Sequence, residues 1–258
     1  MLPKLEQFIQ EKQYLTNVTA ATTRWHGMSL RWLQSEEPTD DDIKSLVIVL
    51  RQRGRCATGV NTTLRAIRAY CRWAGLKTTV PRLKENQRVL PTYTTDNITQ
   101  LIRWKPRTLA QHRLHTLCLT LLDTGARIAE ALGLAWQDVD LDNLLVTLHG
   151  KGGRDRTVPV TVELRRRLVL WQKRQVNPSG LVLSTRDGRQ LSHRNVLRDV
   201  TARCRRLGFN PPVRALHAMR HTFALTYVRN GGDAIPSPTA TRPLDARYDA
   251  SVRQSSDG

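Results

Sequence analysis

Acidic side chains are scarce in this sequence. Across 258 residues, 22 Asp and Glu stand against 41 Lys and Arg, a formal net charge of +19. That imbalance favours a polyanionic partner, because each neutralised phosphate releases condensed counterions. The basic residues are spread along the chain rather than gathered in one tail, so the charge belongs to folded surfaces. A basic protein with no nucleic-acid role stays open on charge alone. Cysteine is also sparse: Cys56, Cys71, Cys118 and Cys204 lie far apart with no C-x-x-C pair. Their spacing argues against a zinc site or a disulfide framework and fits a reducing compartment. Long apolar runs are missing, and the first residues (Met1-Leu-Pro-Lys-Leu-Glu) lack the apolar segment of a signal peptide. The expectation is a cytoplasmic protein with no membrane partner, of one large or two small domains.

Residues 1–76 read as a small helical bundle. Leu30, Trp32 and Leu33 belong to one apolar segment, and Pro38-Thr39-Asp40 opens the next with good helix-starting chemistry. Ile43, Leu46, Val47 and Leu50 then recur at helical spacing. A third helix is expected after Gly59, with Leu64, Ile67, Ala69, Tyr70 and Trp73 on or beside its buried stripe and Arg65, Arg68 and Arg72 making it basic. Residues 77–93, bracketed by Pro81 and Pro91, are polar and charged, poor material for a core, and read as a linker. Thr94-Thr95-Asp96 caps a further helix, and Leu114, Leu117, Cys118, Leu121 and Leu122 form an apolar one ending at Asp123-Thr124-Gly125. The periodicity then changes. Residues 144–149 and 157–160 are strand candidates around the turn Gly150-Lys-Gly-Gly-Arg-Asp, and Pro159 suggests an edge strand. Residues 162–173, 194–207 and 215–229 return to helix, the last closed by Gly231-Gly232.

Three places carry chemistry. In Thr124-Gly-Ala-Arg-Ile-Ala-Glu-Ala-Leu-Gly-Leu, Arg127 follows a tight turn at a helix start. A planar guanidinium and a helix dipole both favour phosphate there. Glu130, one turn on, can hold that guanidinium or the adjacent backbone. Lys151 sits on a glycine-rich hairpin, where its ammonium can reach a ligand or give a proton to a leaving alkoxide. His217 and Arg220 are three apart and share a helix face, while Phe223, Ala224 and Tyr227 are placed to bury the opposite side. Taken singly, Arg127 is an ordinary surface arginine, Lys151 a solvated hairpin tip, and His-x-x-Arg a weak signal.

Order and spacing make the three far more specific together. Arg127, then Lys151 between strands, then His217-x-x-Arg220 in Ala215-Leu-His-Ala-Met-Arg-His-Thr-Phe-Ala-Leu-Thr resembles the tyrosine recombinase (phage integrase) family. The hairpin Leu148-His-Gly-Lys-Gly-Gly-Arg-Asp-Arg-Thr-Val-Pro-Val and the stretch Val60-Asn-Thr-Thr-Leu-Arg-Ala-Ile-Arg-Ala-Tyr-Cys-Arg-Trp-Ala look similar to that family's catalytic and core-binding domains. The resemblance spans roughly residues 5–233. It implies a mainly α protein: an N-terminal helical core-binding (SAM-like) domain, 1–76, a linker, 77–93, and an α-rich catalytic domain with a small antiparallel sheet, 94–233.

It also implies a function. The two domains would close on duplex DNA, and four protomers would act on two sites. Arg127 and Arg220 would hold the non-bridging oxygens of the scissile phosphate and stabilise its transition state. Lys151 would protonate the 5′-hydroxyl leaving group, and His217 would donate to or accept from the nucleophile. A tyrosine would form a 3′-phosphotyrosyl link that conserves the bond energy, so no cofactor and no metal is required. Asn61, Arg65 and Arg68 are helix-face candidates for DNA contact. A type IB topoisomerase-like enzyme would share the cation set, but the short two-domain layout favours a recombinase.

The sequence departs from the family at its end. The resemblance places Leu-Gly-His-Ser, with its His near position 243, and a Tyr near position 252; Pro243 and Val252 stand there instead. Residues 234–258 form an aberrant, proline-rich tail with no helical period, expected to be disordered. Reading the permitted codons for residues 235–255 one nucleotide later allows Leu-Gly-His-Ser followed by Tyr at the required positions. That points to one inserted nucleotide, or two lost, near Ala234. Tyr248 is the rival nucleophile, displaced by four positions, and Tyr227 reads as core. As written, the chain is expected to bind its DNA site without completing cleavage, which leaves a catalytically inert DNA-binding protein as the alternative function.

Overall fold

The computed structural model describes residues 2–16, 18–86, 89–150, 152–175 and 180–231. Lys151 and the tail beyond Gly231, with Tyr248, Pro243 and Val252, lie outside the described residues. The chain divides into two compact units, Met1–Arg88 and Val89–Gly258.

The first unit holds four helices where the sequence suggested three: α1 (Pro3–Tyr14), α2 (Ala20–Leu30), α3 (Asp40–Gln52) and α4 (Ala57–Trp73). Their starts follow local chemistry. At α3, Thr39 and Asp42 cap each other reciprocally, and Asp40, Asp41 and Asp42 face the positive helix end. Helix α4 begins before Gly59, with Cys56 as its N-cap. Leu5, Phe8, Leu30, Ile43, Leu50, Val60, Leu64, Ile67 and Tyr70 form the core. Phe8 meets Tyr70 edge-on with ring centroids 5.6 Å apart.

The expected linker is in part a strap on this unit. Val80 is buried and Leu83 packs on the core. Asp40 accepts from the Thr78 and Thr79 hydroxyls, and Arg68 donates to the Val80 carbonyl. Asn61 pairs with Leu83 in both directions: its Nδ2 donates to the Leu83 oxygen at 2.9 Å, and its Oδ1 accepts the Leu83 N–H at 2.8 Å. Polar groups hold this segment where Asp40, Asn61 and Arg68 supply its partners, so part of the polarity that argued against packing is how it packs.

The second unit is built around α6 (Leu109–Thr124), preceded by α5 (Thr95–Arg103) and followed by α7 (Ile128–Gly133), α8 (Val162–Gln172), α9 (His193–Arg206) and α10 (Ala215–Arg229). The second half of α6 is buried all round, Leu117 through Leu122, as a central helix must be. Its hydroxyls Thr116, Thr120 and Thr124 each donate to the carbonyl four residues back, so they enter the core without orphaned donors. A three-stranded antiparallel sheet has the order β1 (Val139–Asp140), β2 (Leu145–Leu148), β3 (Arg156–Pro159). Val146 opposes Val158 and Leu148 opposes Arg156, and Val146 and Leu148 point into the core. Pro159 lies on the edge strand, where its missing N–H costs no ladder bond. The two-residue β1 carried no readable alternation and was not expected from the sequence.

Candidate phosphate-binding site

The site starts where α6 stops. Gly125 takes the left-handed conformation, φ 59°. The Phe223 ring lies where its Cβ would be, 2.3 Å from the ideal position, so only glycine fits. The chain emerges extended at Arg127, the N-cap of α7. Glu130, in the first turn, accepts the Arg127 backbone N–H on Oε2 at 2.8 Å and Nη1 of the same residue on Oε1 at 2.8 Å. Its carboxylate is only 4% exposed.

A second guanidinium arrives from β3. Arg156 donates Nη1 to Oε1 at 3.1 Å and Nη2 to Oε2 at 2.8 Å, a two-pronged pair with Glu130. Burial alone would raise the pKa of Glu130, but hydrogen bonds from Arg156 and Arg127 outweigh it and hold the carboxyl at about 2. The carboxylate therefore stays charged throughout the physiological range.

A third guanidinium comes from α10. Arg220 donates Nη1 to the Gly125 carbonyl, at the same turn that presents Arg127. Partial burial, then the positive charges of Arg127 and Arg156, lower its pKa from the ordinary arginine value. Three cations thus surround one acid, and the excess positive charge is what an anion would neutralise.

His217 stands one turn before Arg220, exposed, while Ala218 and Met219 between them are buried. Partial desolvation, then His221, Arg214, His193 and Arg220, depress its pKa, so the imidazole is neutral near pH 7. The opposite side of α10 differs from expectation. Ala215, Leu216, Ala218, Met219 and Thr222 are buried, Phe223 and Tyr227 are half-buried, and Ala224 is exposed. Packing against α6 selects the stripe that includes Thr222, whose hydroxyl accepts the Tyr93 N–H at 2.8 Å.

Around Lys151, the residues on either side define the hairpin. A side chain on Gly150 would meet the Arg154 carbonyl at 2.3 Å, and Gly152 and Gly153 have φ of 79° and 68°. His149 pairs with Asp138 at 3.1 Å and with Asp155 at 2.9 Å, closing the base of the turn. Those two carboxylates raise its pKa.

The three candidate DNA-contact residues on α4 divide. Asn61 is 3% exposed and spends its amide on Leu83 and on Glu85, at 2.6 Å. It is a structural clamp rather than a surface reader, because a helix face that looks open in sequence is covered by the 77–86 strap. Arg68 is half-buried and engaged with Val80. Arg65 remains exposed, its guanidinium 5.2 Å from the Trp25 ring centre. Arg156 and His149 were not singled out from the sequence as site residues. Arg156 appears there only as one basic residue in a hairpin, and its pairing spans 26 positions.

Arginines from three elements thus meet around one capping turn, with His217 one helical turn before Arg220, an arrangement able to receive an oxyanion. Residues 92–235 match the Phage integrase family, and the chain belongs to that family, the tyrosine recombinases. Tyrosine recombinase XerA of Pyrococcus furiosus is 29% identical over 203 residues, covering 76% of this chain and 69% of that protein. Tyrosine recombinase XerC of Pseudomonas fluorescens is 30% identical over 217 residues, covering 78% and 72%. Among solved structures, the Tn1549 transposon integrase in complex with transposon right-end DNA has a TM-score of 0.74 at 15% identity, covering 98% of this chain and 99% of that one. That likeness shows a shared fold. No helix among the described residues is long and apolar enough to cross a membrane.

Proposed function

We propose that this chain binds duplex DNA in the cytoplasm at a specific recombination site, together with other recombinase protomers. One scissile phosphate sits between Arg127 and Arg220. The observation that carries this reading is the shared turn at Gly125–Arg127: Arg220 anchors on its carbonyl and Arg127 leaves from its end, braced by Glu130, which Arg156 in turn holds. Two guanidiniums fixed by protein contacts lose little freedom when a phosphate arrives, which is the condition for stabilising charge in a transition state. His217, held neutral, is suited to accept a proton or donate a hydrogen bond at the phosphate. Lys151 supplies the proton for the 5′-hydroxyl leaving group.

By family the chain is a cutting and rejoining enzyme. With Pro243 and Val252 at the positions where the family pattern requires His and Tyr, this sequence holds its site without forming the 3′-phosphotyrosyl link. The test is covalent trapping on nicked duplex DNA, run beside a binding assay. Retained binding with no adduct is the expected result. An adduct abolished by Tyr248→Phe would overturn the inert reading and make Tyr248 the nucleophile. Loss of binding in Arg127→Gln and Arg220→Gln no greater than in Arg103→Gln would overturn the phosphate assignment.

A further inference from the structure

Four positions on one face of α6, Ala110, Arg113, Leu114 and Leu117, line one side of a cavity in the second unit. The other side comes from α9 and its N-cap at the same helical spacing: Ser192, Asn195, Val196 and Asp199. Paired helices ordinarily interdigitate and leave few voids larger than a water molecule. Here the two faces stand around about 180 Å³. Thr185 and Leu191, from the connection before α9, complete the wall. The Thr185 hydroxyl accepts the Arg189 N–H at 3.0 Å and Ser184 bridges Gln190, so that connection is pinned in a tight turn.

The lining divides by depth. Leu117 and Val196 are buried, and Leu114 and Leu191 half-buried, which makes an apolar floor. Ser192, Asn195 and Asp199 are exposed and form the rim. Arg113 lies between them, half-buried. Its Nη1 donates to the Ser184 carbonyl at 2.7 Å, which fixes the guanidinium, yet among the described residues it makes no ion pair. The acid on the rim, Asp199, is held by Arg198 through Nε and Nη2, both at 3.1 Å. Burial accordingly lowers the Arg113 pKa, and the charge of Asp199 offsets only part of that. Arg113 and Arg198 share one acid, so the cavity carries one positive charge in excess.

We infer that this cavity is a binding site for a small monocarboxylate with an apolar body, an aromatic or branched-chain acid. Size and charge select that class. A cavity of about 150 Å³ lined by apolar side chains holds a benzene ring. The volume here therefore suits one ring, or a branch of similar bulk, with a compact head. It is too small for a nucleotide, since drug-sized ligands occupy roughly 300–1,000 Å³. One excess positive charge matches a monoanion, whereas a phosphate monoester, at about −1.5 to −2 near pH 7, would overshoot it. The guanidinium fork of Arg113 receives the carboxylate, and the apolar body rests on Leu114, Leu117, Leu191 and Val196. The site goes beyond the DNA-binding reading and shares no residue with it.

The test is methyl NMR of the full chain titrated with benzoate. Saturable shifts confined to Leu114, Leu117, Leu191 and Val196 are the expected result, with inorganic phosphate and benzylammonium producing none. Arg113→Gln should weaken benzoate binding about tenfold or more, the usual effect of losing a hydrogen bond to a charged group. Arg113→Lys should restore part of it. Ala110→Phe, at an exposed helix position whose added ring would occupy the mouth, should abolish binding with the fold intact. That variant keeps the test informative if those at Arg113 are unstable. Shifts that fail to saturate, or that survive Ala110→Phe unchanged, overturn the inference. Benzylammonium binding as tightly as benzoate does so too, because the guanidinium then selects nothing. Phenyl phosphate binding more tightly than benzoate would give the site to phosphate esters and refute the carboxylate assignment.

Discussion

Glu130 and Arg156, 26 positions apart, meet through two hydrogen bonds at 3.1 and 2.8 Å. The contact ties the edge strand β3 to the first turn of α7, and through the same carboxylate to Arg127. One buried acid therefore sets the position of two cations from different elements.

Replacing Glu130 with Gln should destabilise the chain. It removes the charge from a side chain 4% exposed while Arg156 and Arg127 are 33% and 57% exposed. Because solvent can reach both guanidiniums, a loss of about 1–3 kcal/mol is expected rather than the full cost of breaking a buried pair. Urea denaturation with an unchanged m-value is the check, and DNA affinity should fall in parallel.

The same residue predicts an acid transition. Its folded pKa of about 2 lies below the ordinary 4.5. A depressed carboxyl contributes stability that is complete above the ordinary value and is lost as pH falls through the folded one. The urea midpoint should decline between about pH 4.5 and about pH 2, and Glu130→Gln should remove that share of the decline. An identical pH profile in the variant would refute the assignment.

Gly125→Ala should be costly out of proportion to one methyl group. The new Cβ must adopt φ 59° and meet the Phe223 ring at 2.3 Å. A loss of about 2–4 kcal/mol is expected from strain and overpacking together. Phe223→Leu in the same background should recover part of it, because the ring is one of the two causes.

Asn61→Ala should loosen the 77–86 strap and leave DNA contacts untouched. It abolishes the two-way pairing with Leu83 and exposes unmade backbone bonds, at about 1–3 kcal/mol. Limited proteolysis should show faster cleavage within the strap. An unaltered cleavage rate with weakened DNA binding would return Asn61 to the surface.

Two histidines should titrate in opposite senses by NMR. His217 should show a midpoint below the ordinary 6.5, where partial burial and neighbouring positive charges oppose its protonation, and His149 one above, where Asp138 and Asp155 favour it. Asp155→Asn should lower the His149 midpoint and leave His217 unchanged.

Much of the molecule was legible in its sequence because it is encoded over short distances. The stripe of α4, the Thr39 and Thr94 caps, the α6 stop at Gly125 and the strand-turn-strand with its edge proline all depend on residues within a few turns of one another. The same holds for the side-by-side placement of His217 and Arg220, set by helical spacing of three. Asn61, Ala224 and the 77–86 strap were misread for the opposite reason. Which polar face stays wet, and which polar segment finds partners, depends on what packs across from it.

By itself the sequence determined most of the elements, the basic character, the family and the order of the motif residues, since periodicity, capping and motif spacing are local properties of the chain. Only the tertiary structure decided that Glu130 serves Arg156 as well as Arg127 and that Arg220 anchors on Gly125. Those contacts join segments far apart along the chain, and the packing that brings them within hydrogen-bond range is a property of the folded whole.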